Sequence, residues 1–425
     1  MDDGKEREPR MKLNRREIMT GAAVLAAAPR VARAQGAGEI LIGAVFPMTG
    51  STAQTGLDAK NAIETAAAII NDKTDLDLPL ARGAGLPGFG GAKVRVIYAD
   101  HQGDPQKGRA EAERLITQEK AVALIGCYHS AVSATVSQTA ERYALPFMCA
   151  DSSSPSLSRR GLKFFFRASA HDEMFSSAMF DLMDSLRAKG QKIETLALFH
   201  EDTIFGADSA NVQTKLAGER GYRIACDVKY RANSPSLTTE VQQIKSAAAD
   251  VLMPSSYTTD GILLVRTMNE LGYKPRAIVA QAAGFSEQAL YDAVGDLLHG
   301  AITRGSFSLD LAQKRPMVAR VNDLFKARAG KDLNDNSARE FMALIVLADG
   351  VNRAGTTDGE AIRAALTATD IPGDRTIMPW KGVRFDATGQ NNGCDPVLLQ
   401  YDGRKFVTVF PLQAAISEPV WPMNS

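Results

Sequence analysis

The sequence is poor in the residues that most often carry chemistry. Its 425 positions include four cysteines and five histidines. No C-x-x-C or H-x-x-x-H spacing joins them, so neither a zinc site nor a dithiol centre is indicated. No G-x-S-x-G nucleophile elbow and no Gly-Lys-Ser/Thr of a phosphate loop occurs. Charge of one sign is also lacking. The 49 basic and 49 acidic residues cancel, which removes the electrostatic footprint of a nucleic-acid partner. The apolar run near the start, Ile18 to Ala28, falls short of the ~20 residues that a spanning helix needs. The expectation is a chain that is not an enzyme and takes no cofactor or metal.

What remains is ordinary globular composition, 45% hydrophobic and 23% charged, over a length that favours two lobes rather than one core. Residues 1–34 are read apart from the fold. A twin arginine, Arg15-Arg16, precedes the apolar run and a small-residue site at Ala32-Arg33-Ala34, the order of a Tat-type export signal cleaved near Ala34. No cysteine stands there to take a lipid anchor. Removing this leader takes away 8 of the 49 basic and 5 of the 49 acidic residues, leaving 41 and 44 and a net charge of −3. Export places the mature chain in the periplasm. Its four thiols then meet an oxidising compartment. Adjacent strand ends give Cys127 and Cys149 a route to a bridge, while unpaired buried thiols are the expected state.

The stretch from Ala121 to Ala134, AVALIGCYHSAVSA, organises the rest. Val122 to Gly126 reads as a short buried strand, and Ser130 sits where the following helix needs an N-cap. Free N–H groups and the positive end of the dipole favour an anion there; an ordinary hydrated cap is the alternative. The next apolar strand, Pro146 to Ala150, ends in Asp151-Ser152-Ser153-Ser154. Two neighbouring strand ends would thus turn hydroxyls and N–H groups toward one crevice.

Strands and helices alternate on both sides of this stretch. Strands are predicted at 39–47, 93–101, 122–126 and 146–150, with helices at 57–71, 105–119 and 131–142 between and after them. A second run places strands at 164–168, 195–200, 222–230, 251–254 and 277–282 with a helix after each. Alternation at this density implies an α/β fold of two doubly wound, Rossmann-like lobes. The chain closes with a strand to Phe307, three helices over 313–368, a hairpin-like pair of 382–385 with 397–401, and a strand at 405–410. The irregular segment 72–91 is read as a surface insertion.

The order of elements, with Ile42-Gly43-Ala44 through Thr49-Gly50, Asp100, Asp104-Pro105, Ile125-Gly126, Ser130, Ser152 to Pro155, Phe205-Gly206 and Tyr257, resembles the branched-chain amino-acid (leucine/isoleucine/valine-binding) family of ABC-transporter periplasmic solute-binding proteins. The resemblance spans about 40–412. It implies a type I periplasmic binding fold whose lobes are joined by three crossovers, placed near Arg167, Ser306 and Trp380. The N-terminal lobe would comprise 39–167 and 307–380, the C-terminal lobe 168–306 and 381–412. A monomeric receptor would close on a small carboxylate-bearing solute and meet an inner-membrane permease and ATPase; a sensor of the same fold is the alternative function. The resemblance puts the carboxylate on Ser130 and Ser153, with Phe205 and Tyr257 closing over the ligand. Tyr128, Ser152, Gln281 and Thr55 complete the candidate lining. Read without the family, these rings equally suit plain core.

Two departures from the family pattern stand out. Gly103 and His129 occupy the positions matched to the family's disulfide. No acidic residue stands in Ala280-Gln281-Ala282-Ala283-Gly284-Phe285, where family members that bind α-amino acids pair the ammonium. Either Asp151 supplies that charge or the ligand is an aromatic or aliphatic acid with no amino group. A third class, an exported enzyme, would have to use Asp151 with His129.

Overall fold

The computed structural model describes Met1 and residues 38–423; the expected export signal lies outside the described residues. β1 (Glu39–Phe46), α1 (Ala53–Asn71), β2 (Lys93–Asp100), α2 (Pro105–Thr117), β3 (Ala123–Gly126), α3 (Ser130–Arg142), β4 (Phe147–Cys149) and β5 (Phe165–Arg167) build the first sheet. Its five strands run parallel in the order β2-β1-β3-β4-β5. The inner strands β1, β3 and β4 are nearly continuous apolar runs because helices cover both faces, whereas edge strand β2 keeps Lys93 and Arg95 exposed. The order reverses between β1 and β3, which opens a crevice at their C-terminal ends.

The second sheet is assembled from α4 (Asp172–Ala188), β6 (Thr195–Glu201), α5 (Ile204–Glu219), β7 (Arg223–Tyr230), α6 (Thr238–Ala247), β8 (Val251–Ser255), α7 (Thr258–Glu270), β9 (Val279–Ala280), α8 (Gln288–Val294) and β10 (Ile302–Gly305). β7-β6-β8 run parallel, as do β9 and β10. Single bridges at Leu252–Ile278 and Ser256–Ala283 carry the sheet from β8 to the β9 edge.

The chain then returns to the first sheet with α9 (Pro316–Ala329), α10 (Asp335–Ala354) and α11 (Gly359–Thr367). Every residue of α10 from Asp335 to Ala348 is buried. A helix buried on every side belongs inside a core, its polar first turn paired and its apolar Phe341–Ala348 packed, and α10 packs between α1 and α11. Asn334 caps it: its side chain accepts from the Ser337 N–H at 2.8 Å while the Ser337 hydroxyl receives the Asn334 N–H at 2.8 Å, a closed capping box.

Three features differ from the sequence reading. β11 (Ile371–Pro372) pairs antiparallel with β12 (Gly382–Val383), whereas β13 (Val397–Tyr401) lies antiparallel between β10 and β14 (Phe406–Phe410); the expected hairpin of 382–385 with 397–401 does not form. Val383, Phe385 and Cys394 pack into the same core as β1 and α10, so the chain stays with the first sheet well past Trp380. Segment 72–91 is more than a surface insertion, because Leu76, Leu78, Ala81 and Leu86 enter that core and the Gly88 N–H donates to the Asn352 side chain at 2.8 Å. All four cysteines are free thiols.

Candidate functional site

The C-terminal ends of both sheets converge on one small cavity. Tyr128 and Ser130 after β3, Asp151 and Ser153 after β4, Phe205 at the start of α5, Tyr257 after β8, Ala283 after β9, Arg304 in β10, and Asn336 and Arg339 on α10 line it. Its volume is about 10 Å³, room for roughly one water.

Sharp local geometry brings the first-sheet groups in. Gly126 ends β3 at φ +153°, and a Cβ there would stand 2.4 Å from the Val45 carbonyl oxygen, so only glycine fits. Tyr128 follows at φ +77°, an uncommon conformation for a bulky residue and one that recurs at functional sites. His129, not Ser130, is the capping position of α3. Ser130 is the first helical residue, its Oγ 3.5 Å from the Ser154 N–H.

Two buried arginines hold the loop after β4. Arg167 donates from Nη1 to the Ser152 and Ser154 carbonyls at 2.9 and 2.8 Å, and from Nε to Gln390 at 2.6 Å. Arg339 donates to the Ala150 and Asp151 carbonyls at 3.3 and 3.2 Å, to Asp335 at 2.8 Å and to Asn336. Its Nη1 also stands 3.0 Å from Asp151 Oδ1. Burial would lower the Arg339 pKa, but the Asp151 and Asp335 carboxylates outweigh it and raise it. Burial pushes Asp151 up to about 6 against the pull of Arg339, and pushes its neighbour Glu340 well above the ordinary carboxylate range, with Asp151 adding to the rise.

The second sheet supplies an aromatic wall. The Tyr257 ring lies 5.4 Å from Tyr128, 4.7 Å from His129 and 5.2 Å from Phe205. Around this wall the halves touch through polar contacts: Ser51 Oγ to Asn233 at 3.2 Å, Thr259 Oγ1 to the Ser51 carbonyl at 3.2 Å, and the Ser156 N–H to Asp208 at 3.3 Å. Glu287, just before α8, is buried against Asn334, Asn336 and Thr55. Burial, with Asp58 nearby, pushes it up to about 8.

Of the residues expected from sequence, Tyr128, Ser130, Asp151, Ser153, Phe205 and Tyr257 come together on the cavity. Three do not. Ser152 turns its hydroxyl to Ser133 and the Tyr128 carbonyl at 2.7 and 2.9 Å. Gln281 is committed to Asp172, Ser176 and Gln213 at 2.8, 3.1 and 3.2 Å. Thr55 donates to Glu287 at 3.4 Å. Sequence reasoning missed Arg304, Arg339 and Asn336; the one signal was charge inside otherwise apolar segments, Arg304 in AITRGSF and Arg339-Glu340 before FMALIVLA. Among the described residues no group of three or more His, Cys, Asp or Glu is placed to hold a metal.

A family model described as periplasmic binding protein matches residues 39–403. The chain belongs to the periplasmic binding protein family. A relative of this binding protein, Leu/Ile/Val-binding protein homolog 7 of Brucella suis biovar 1 (strain 1330), is 28% identical over 408 residues, covering 93% of this chain and 96% of the relative. Its fold is that of type I periplasmic binding proteins. The leucine binding protein LivK of Thermotoga maritima superposes with a TM-score of 0.74 at 20% identity, covering 87% of this chain and 97% of LivK. A Rhodopseudomonas palustris BisB5 ABC-transporter solute-binding protein, solved with 3,4-dihydroxybenzoic acid, gives 0.72 at 18% identity over 90% and 98%. These relatives are binding proteins, not enzymes.

Proposed function

We propose that this periplasmic binding protein is the solute-capturing component of an ABC importer of the branched-chain amino-acid type, and that it takes a small carboxylate-bearing solute between two lobes. The carrying observation is the cavity at the C-terminal ends of both sheets, where Ser130 and Ser153 from one half face Phe205 and Tyr257 from the other. Hydroxyls beside a helix start suit a carboxylate, and rigid rings bury ligand area at little entropic cost.

With room for about 10 Å³, the cavity admits a solute only if the halves part and then close on it. The cross-contacts of Ser51 with Asn233 and Thr259 are then made on closure, and contacts to the second half favour the closed arrangement. The first lobe takes the β1–β5 sheet with α9–α11 and extends to Cys394; the second takes the remainder. In this reading the protein works as an exported monomer, delivering solute to a membrane permease and its ATPase.

The test is a thermal-shift titration with amino acids and with aromatic and aliphatic acids. A solute at 100 times its Kd stabilises by about 2.7 kcal/mol. Ser130→Ala and Ser153→Ala should each weaken binding of the solute that gives the shift. Unchanged affinity in both variants would remove the site from this cavity.

A further inference from the structure

The charged groups on the cavity wall differ in how far they are already occupied. Arg339 spends its donors on carbonyls, Asp335 and Asn336, and it neutralises Asp151 at 3.0 Å. Arg304 is different. It is 2% exposed, yet its one hydrogen bond runs from Nη2 to Ser153 Oγ at 3.3 Å. Its Nε and Nη1 have no hydrogen-bond partner among the described residues. The nearest carboxylate oxygen, Asp335 Oδ2, stands 3.9 Å from Nη1 and is shared with Arg339. The guanidinium otherwise lies over the Phe175 ring, 3.9 Å from its centre.

A buried guanidinium with two unused donors needs an acceptor, since unpaired buried charge is costly. Nε and Nη1 lie on different edges of the planar guanidinium, each beside Nη2, and either edge presents the spacing of a carboxylate's two oxygens. Asp151 also has oxygens without hydrogen bonds, but Arg339 already balances its charge. With Asp335 shared between the two arginines the four charges balance, and what the wall leaves unused is the pair of Arg304 donors.

We propose that Arg304 is a ligand-contacting, specificity-determining residue: it receives the solute's carboxylate beside Ser153 and selects acids of a flat shape that fits between Tyr128, Tyr257 and Phe205. The proposal rests on the carboxylate reading of the same cavity.

Calorimetric titration of the purified protein with benzoate, 4-hydroxybenzoate, benzamide and leucine tests it. At least one of the two aromatic acids should bind, benzamide should bind at least tenfold more weakly, and leucine should bind more weakly than the acid. Arg304→Gln should weaken the acid at least tenfold, with Arg304→Lys recovering part of the loss. The benzoate and benzamide comparison needs no variant, so it stands even if Arg304→Gln misfolds. Leucine bound in preference to both acids, or with undiminished affinity in Arg304→Gln, overturns the role of Arg304 while the carboxylate site survives, provided Ser130→Ala or Ser153→Ala weakens that leucine binding. Acid binding unaffected by Arg304→Gln, Ser130→Ala and Ser153→Ala alike overturns the site itself. Absence of binding by both aromatic acids also overturns the proposal.

Discussion

Glu287 reaches across from the second-sheet half to Asn334, Asn336 and Thr55, and burial holds its pKa near 8 instead of the ordinary 4.5. The packed arrangement thus keeps a proton that an exposed Glu287 would release. As pH rises from about 4.5 to 8, the packed state is progressively destabilised relative to one with Glu287 in water. Asp151, raised to about 6, acts in the same direction; Asp58 and Lys331 are the other charges facing Glu287. The melting temperature should fall between pH 6.5 and 8, and Glu287→Gln should flatten that slope; an equal slope in the variant would assign it elsewhere. Arg339 poses a different problem, because removing it strands two buried carboxylates. Arg339→Met should cost about 3–5 kcal/mol in urea unfolding, and adding Asp151→Asn should recover part of it. The serines at the strand ends were legible because hydroxyls after short apolar strands have a local signature. The arginines were not, since a lone charge in an apolar run reads the same whether its partner is a ligand, a carbonyl or an acid far along the chain.

Among the elements, α10 joins fold to site most directly. One face of its first turns delivers Asn336 and Arg339 to the cavity, and the remainder is core. Phe341 is fully buried, so Phe341→Ala should destabilise by about 3–5 kcal/mol. Asn334→Ala should cost about 1 kcal/mol by opening the capping box. If the first change also weakens solute binding and the second does not, α10 positions the site through packing rather than through its cap. Its start at Asp335 places Asn336 on the cavity and Asp335 beside Arg339. Polar residues at a helix entrance look like loop until the cap that holds them is seen. Pairing of β13 with β10 rather than with 382–385 has the same origin, because an apolar strand does not announce which edge it joins.

For the molecule as a whole, buried histidines oppose the carboxyls. Burial depresses His129 to about 3 and His101 and His171 to about 4, from an ordinary 6.5. Each contributes stability that is full above pH 6.5 and is lost as pH falls through the folded value. Together with Glu287 and Asp151, this places the stability maximum near pH 6.5, because three histidines outweigh two carboxyls below it and only Glu287 still titrates above it. Melting curves across pH 3 to 9 should show it, and a monotonic rise to pH 8 would contradict the assignment. The sequence by itself determined the α/β alternation, the parallel first sheet and the hydroxyls at its strand ends, because hydrophobic period and strand-end composition act over a few residues. Tertiary structure alone decided that Gln281 and Ser152 are spent in internal networks, that Thr55 meets Glu287, and that Arg304 from one half stands beside Ser153 from the other with donors to spare. Those outcomes depend on which buried polar groups find partners, and the partners of Gln281, Arg304 and Thr55 lie 105, 151 and 232 positions away, beyond the reach of any local pattern.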